Sequence, residues 1–183
     1  PADWRAYNNM GMIEFENGDL ASAEEMFEKA RSLQPNAPEV NYNLGIIALT
    51  KGNAAQAEEY LGKASGVGEQ LNEAMGVLYM QKGDYNLAQS VMQKAGNSNN
   101  VALSKILSGN YASANHVLDA VQEPDAATYY LRAVVGARTN NKELVYQNLR
   151  TAIGQDPSMA SLALTDAEFA KYSSDPAFLS IVR

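Results

Sequence analysis

WRAYNNMGMIEFENGDLASAEEMFEKARSLQPNA, residues 4–37, is followed by PEVNYNLGIIALTKGNAAQAEEYLGKA, residues 38–64, and the second segment repeats the layout of the first. Gly11, Gly18-Asp19, Ala23, Phe27 and Ala30 return as Gly45, Gly52-Asn53, Ala57, Leu61 and Ala64, each 34 positions on. A period of that size, filled by two helix-length segments per unit, is the sign of stacked helical hairpins. The glycines carry a physical message of their own. A glycine inside a helix costs about 1 kcal/mol relative to alanine, so Gly11 and Gly45 need an offset, and close approach of a second helix supplies one. Ala23 and Ala57 lie on that following helix, with Phe27 and Leu61 filling the space toward the next hairpin.

The segment resembles the tetratricopeptide repeat family, whose pattern is roughly W-x2-L-G-x2-Y, then G-D/N, A-x3-F-x2-A and a late proline. Tyr7, Met10-Gly11, Gly18-Asp19, Ala23, Phe27, Ala30 and Pro35 carry the first copy, which departs at Glu14. Leu44-Gly45, Gly52-Asn53, Ala57, Leu61 and Ala64 carry the second, with Asn41 and Ala48 where aromatics are usual. The resemblance implies an all-α superhelix of αα-hairpins.

At 183 residues, the chain has room for about five such hairpins in a single solenoid domain over 1–183. The repeats fall near 4–37, 38–67, 68–98, 99–122 and 124–157, with a helical cap over 158–183. The third copy is Met75-Gly76, Tyr79, Gly83-Asp84-Tyr85, Ala88, Met92 and Ala95. The fourth keeps Gly109-Asn110-Tyr111, Ala114 and Leu118, but its first helix, about Asn100 to Ser108, is expected to be roughly two turns shorter than its counterparts. The fifth keeps Tyr129, Ala133, Asn140-Asn141, Leu149, Ala152 and Pro157, with Arg132 where the family prefers leucine. Asp156-Pro157, Thr165-Asp166 and Asp175-Pro176 then start a closing helix and two short pieces. Phe169, Phe178, Leu179 and Ile181 would cover the last apolar edge, as an open array requires. Gly18, Asp19 and Asn53 predict left-handed turns followed by capped helices, and Asn36 with Glu39 has capping-box spacing.

A formal charge of −7 argues against nucleic acid as a partner. No run of about 18 apolar residues is present, so no direct membrane insertion is expected. The chain opens at Pro1 without an initiator methionine, which reads as a fragment of a longer protein or a mature form. There are no cysteines, which removes disulfides, thiolate ligands and cysteine nucleophiles together.

Candidate chemistry is sparse. Glu24, Glu25 and Glu28 read as a solvated face near a helix start rather than a metal cluster. Gly66 and Gly68 invite comparison with a dinucleotide loop, but Leu71 occupies the third glycine position and a helix precedes it. Ser113 and the single histidine, His116, share a helix face without an orienting carboxylate or an oxyanion loop. The reading is therefore non-enzymatic, with no catalytic residue, cofactor or metal site expected.

In the family that the chain resembles, the first helix of each hairpin lines an inner groove. That resemblance places Arg5, Asn8, Met12 and Phe15, then Tyr42, Ile46 and Leu49, then Glu73, Val77 and Met80, and later Tyr130, Val134 and Arg138 along it. The strip is mostly apolar, which argues against a basic clamp for a C-terminal carboxylate and for an extended or helical peptide held by apolar side chains. The expected function is a protein–protein interaction scaffold with a protein or peptide partner. Two alternatives stand beside it: a glycan or nutrient-binding module of a bacterial envelope system, and an architectural segment of a longer protein. The tail, with a D-x-E-F segment and then a D-P-x-F segment, is similar to those of bacterial tetratricopeptide proteins, and favours the cell envelope or periplasm over the cytoplasm.

Overall fold

The computed structural model describes residues 3–183, and over these the chain is all helix and turn, with no strand. It divides between Ala95 and Gly96 into two compact units. The first holds α1 (Trp4–Glu16), α2 (Leu20–Leu33), α3 (Pro38–Thr50), α4 (Ala54–Gly62), α5 (Gln70–Gln81) and α6 (Tyr85–Val91), the last tightening into a 3₁₀ turn over Met92–Lys94. The second holds α7 (Asn99–Leu107), α8 (Tyr111–Asp119), α9 (Ala126–Arg138), α10 (Lys142–Gln155), α11 (Ser158–Thr165), a 3₁₀ segment over Ala167–Tyr172, and α12 (Pro176–Val182). The helices pair in chain order from α1 with α2 to α9 with α10, so the architecture is an αα-hairpin array of the solenoid class with a helical cap. No described helix is long and apolar enough to cross a membrane.

Five hairpin turns are built alike. Gly18, Gly52, Gly83, Gly109 and Asn140 each adopt positive φ, between 57° and 83°. The next residue sends its amide back to the helix just ended: Asp19 to the Glu14 carbonyl at 2.9 Å, Asn53 to Ala48 at 2.8 Å and Asn141 to Gly136 at 2.8 Å. The same Asp or Asn side chain then caps the new helix, Asp19 accepting from the Ser22 amide at 3.0 Å and Asn141 from Leu144 at 3.0 Å. One short sequence thus satisfies the orphan groups of two helix ends, each cap stabilising by about 1 kcal/mol.

In the first unit, Ala23, Phe27 and Ala30 of α2 face Val40, Leu44 and Ile47 of α3, all buried. Ala57 and Leu61 of α4 share a second cluster with Ala74 and Leu78 of α5. Ion pairs recur at matching repeat positions, Lys51 on Glu24 and Lys82 on Glu58. The role of the helical glycines is more specific than simple closeness to the facing alanines. A Cβ on Gly11 would lie 2.6 Å from the Phe27 ring, and one on Gly45 would lie 2.5 Å from Leu61 Cδ2. The missing methyl makes room chiefly for the large side chain.

In the second unit, Asp125 and Thr128 form a capping box at the start of α9, and Asn99 donates to the Asp125 carboxylate at 3.0 Å. Arg132 stands where the resemblance implies leucine. Its guanidinium donates to the Leu118 carbonyl at 3.0 Å and pairs with Asp119 at 3.1 Å, which suits a cation at the C-terminus of α8. Phe169 and Phe178 of the closing segment are buried, with Leu179 and Ile181 half-buried at its edge.

Two local expectations need correction. Asn36 and Glu39 form no capping box: α3 starts at Pro38 with Ala37 as its N-cap and no side-chain cap bond. Proline favours the first helical position, where its lacking N–H costs nothing. Asn41 ties down this connection, its amide donating to the Pro35 and Ala37 carbonyls at 2.9 Å. The second correction concerns α7, which has 9 residues against 13 in α1, a shortfall of just over one turn rather than two.

Candidate functional site

Asn8, Met12 and Phe15 recur along one face of α1 at intervals of four and three residues, as Tyr42, Ile46 and Leu49 do along α3, so each set shares a helix face. Their meeting point is an open pocket of about 320 Å³ lined by Met12, Phe15, Glu16, Phe27, Tyr42, Asn43 and Ile46. Phe27 reaches it because Gly11 leaves space for its ring against α1. Asn43 fixes the spacing of the two helices by donating to Asn8 Oδ1 at 2.9 Å. Met12 is 44% exposed, while Phe15, Tyr42 and Ile46 are half-buried. Burial, then the nearby Glu73 carboxylate, raises the Tyr42 phenol above its ordinary value, so it remains a neutral hydrogen-bonding group near neutral pH. The walls are apolar, with Glu16 as the one charge in the lining.

The other strip residues are distributed differently. Arg5 is exposed, its guanidinium 4.8 Å over the Trp4 ring. Leu49 is 6% exposed and belongs to the core between α3, α4 and α5; its carbonyl accepts from Gln81 Nε2 at 2.8 Å. Glu73, Val77 and Met80 are half-buried along α5, Val77 packing on that same core.

In the second unit the closing segment lies over α9. The Tyr130 hydroxyl donates to Asp166 at 2.8 Å, and its ring meets Phe169 edge-on with centroids 5.5 Å apart. Arg138 makes a two-point ion pair with Glu168, and Val134 is buried. Burial, then the Asp166 hydrogen bond, pushes the Tyr130 phenol far up, so it is fixed as a donor. Part of Tyr130 still lines a smaller apolar pocket of about 240 Å³ with Asn99, Leu103, Leu131, Met159 and Leu162.

Sequence spacing alone missed Glu16, Phe27 and Asn43. Phe27 had a readable signal in its pairing with Gly11, whereas Asn43 lies one position off the apolar stripe and is revealed only by its bond to Asn8.

Two sequence profiles described as tetratricopeptide repeat match the chain, over residues 14–74 and 70–95. No curated protein sequence matches it. Among solved structures, a tetratricopeptide protein of Thermus thermophilus superposes with a TM-score of 0.71 at 18% identity, over 96% of this chain and 99% of that one. The pilF protein of Pseudomonas aeruginosa gives 0.69 at 14% identity, over 97% and 88%. YrrB, described as a tetratricopeptide protein with an unusual peptide-binding site, gives 0.55 at 22% identity, over 82% and 85%. At these identities the likeness concerns the fold.

Proposed function

The chain belongs to the tetratricopeptide repeat family, and from that premise we propose that it is a non-enzymatic scaffold whose first unit grips a peptide or an exposed segment of a partner protein. The observation that carries this reading is the apolar pocket between α1 and α3, where Met12, Phe15, Tyr42 and Ile46 stand around the Phe27 ring. Such a pocket suits one large apolar anchor of a bound peptide. Tyr42 supplies a neutral hydroxyl at its edge, and Glu16 disfavours an acidic neighbour to that anchor. Arg138 and Tyr130, already held by Glu168 and Asp166, have no part in this grip.

A displayed random peptide library tests it. The wild-type chain should enrich sequences with Leu, Met or Phe anchors, and the Phe15→Glu/Tyr42→Glu variant should enrich none while retaining its far-ultraviolet helical signal. Equal enrichment by both would overturn the pocket. Calorimetric heat with oligosaccharides, and none with peptides, would replace the reading with a glycan-binding one.

A further inference from the structure

α1 has a second apolar stripe, on a side that does not line the pocket. Ala6, Met10 and Ile13 recur at helical spacing, and all three are exposed, Met10 by 49% and Ile13 by 56%. The 34-residue period identifies what they are. Their counterparts on α3 are Val40, Leu44 and Ile47, exposed by no more than 1% and packed on Ala23, Phe27 and Ala30 of the preceding hairpin's second helix. On α5 the same positions are Leu71, Met75 and Leu78, which pack on the cluster holding Ala57 and Leu61 of α4. Twice in this unit, then, the stripe is the inter-hairpin contact surface, and its partner reads small, bulky apolar, small at four- and three-residue steps, as Ala23, Phe27 and Ala30 on α2 and as Ala57 and Leu61 on α4 with Ala64 just past its end.

We propose that the outer face of α1 is a third copy of that contact surface, and that its occupant is the second helix of one further hairpin of the same type, seated directly ahead of α1. The α2–α3 and α4–α5 interfaces fix the occupant's chemistry. It presents an alanine, then Phe or Leu four residues on, then another alanine, against Ala6, Met10 and Ile13. One detail differs. Asn17 stands where Lys51 and Lys82 pair with Glu24 and Glu58, so the occupant needs no acid at that point. A second copy of this chain is a poor occupant, because the matching faces of its α2 and α4 are already filled by α3 and α5, and Ala88 and Met92, which hold the equivalent positions at α6, are themselves buried. The proposal is independent of the pocket between α1 and α3.

The test extends the full chain by placing a second copy of residues 4–37 immediately before Trp4, which reproduces the natural connection between Leu33 and Pro38. The extended chain should melt higher than the original by about 5 °C or more, since repeat stability grows by nearest-neighbour interfaces. Met10→Glu/Ile13→Glu, made in the original α1, should abolish that rise and shift the melting of the unextended chain by no more than about 3 °C. No rise on extension, or a rise that survives the double substitution, would overturn the proposal. So would an unextended chain that sediments as a dimer and becomes monomeric with Met10→Glu/Ile13→Glu, since the occupant would then be a second copy.

Discussion

A Cβ on Gly136 would lie 2.9 Å from the Val145 amide nitrogen and 3.1 Å from the Asn141 carbonyl oxygen, so the fifth hairpin closes backbone on backbone. Gly76 is different, because there the obstacle is the Met92 side chain. This contrast sets a prediction. Gly136→Ala should destabilise the protein by about 1–3 kcal/mol, since α9 and α10 must separate. Gly76→Ala should cost less, because the obstacle is an unbranched side chain rather than backbone and alanine recovers about 1 kcal/mol of helix propensity. Urea unfolding of the two variants decides it, and equal losses would show that the close approach at Gly136 is readily relaxed. Gly11 and Gly45 stood out in the sequence because a repeat framed them. Gly136 did not, because in its hairpin Ala133 holds the framed position and the small residue has moved to where the first hairpin has Glu14. Covalent order cannot show that the approach comes nearer the turn there, since only the crossing of the two axes fixes it.

The elements of the chain were legible where one residue type has one conformational use. Glycine before Asp or Asn at four turns, and Asn140 before Asn141 at the fifth, located the hairpins because positive φ and side-chain capping are local properties. The start of α3 was not, because Pro38 overrode the capping signal of Asn36. The last elements are joined by charge. Lys142 of α10 pairs with Asp175, the N-cap of α12. The Lys142 ammonium, followed by the Tyr146 phenol and the Ala177 amide, holds the Asp175 carboxyl down at about 2. A depressed carboxylate contributes stability above its unfolded value and loses that contribution as pH falls through its folded value. The loss therefore falls between the ordinary carboxylate value of about 4 and about 2. Asp175→Asn should melt below the wild type at pH 6 and converge with it near pH 2. A constant gap across that range would show that the pair adds no pH-dependent stability.

For the molecule as a whole, the closing segment 158–183 is the feature with the widest effect. Phe169 and Phe178 are each 1% exposed and stack among Tyr130, Tyr146 and Tyr172. Burying each phenylalanine contributes about 1.5–3 kcal/mol. A chain ending at Pro157 should therefore bind an apolar dye such as ANS strongly and lose helicity in its second unit, whereas unchanged dye binding and melting would deny the segment a closing role. By itself the sequence determined the helical class, the hairpin turns, the repeat frame and the presence of a cap, because these rest on local backbone preference and on a period that covalent order displays. Only the tertiary structure decided which first-helix positions stay open. Met12, Phe15, Tyr42 and Ile46 border a pocket, Leu49 and Val134 are interior, and Tyr130 and Arg138 are held by Asp166 and Glu168. The physical reason is that exposure belongs to a residue's neighbours: Tyr130 and Arg138 meet side chains 36 and 30 positions further along, and nothing in their own repeats announces them.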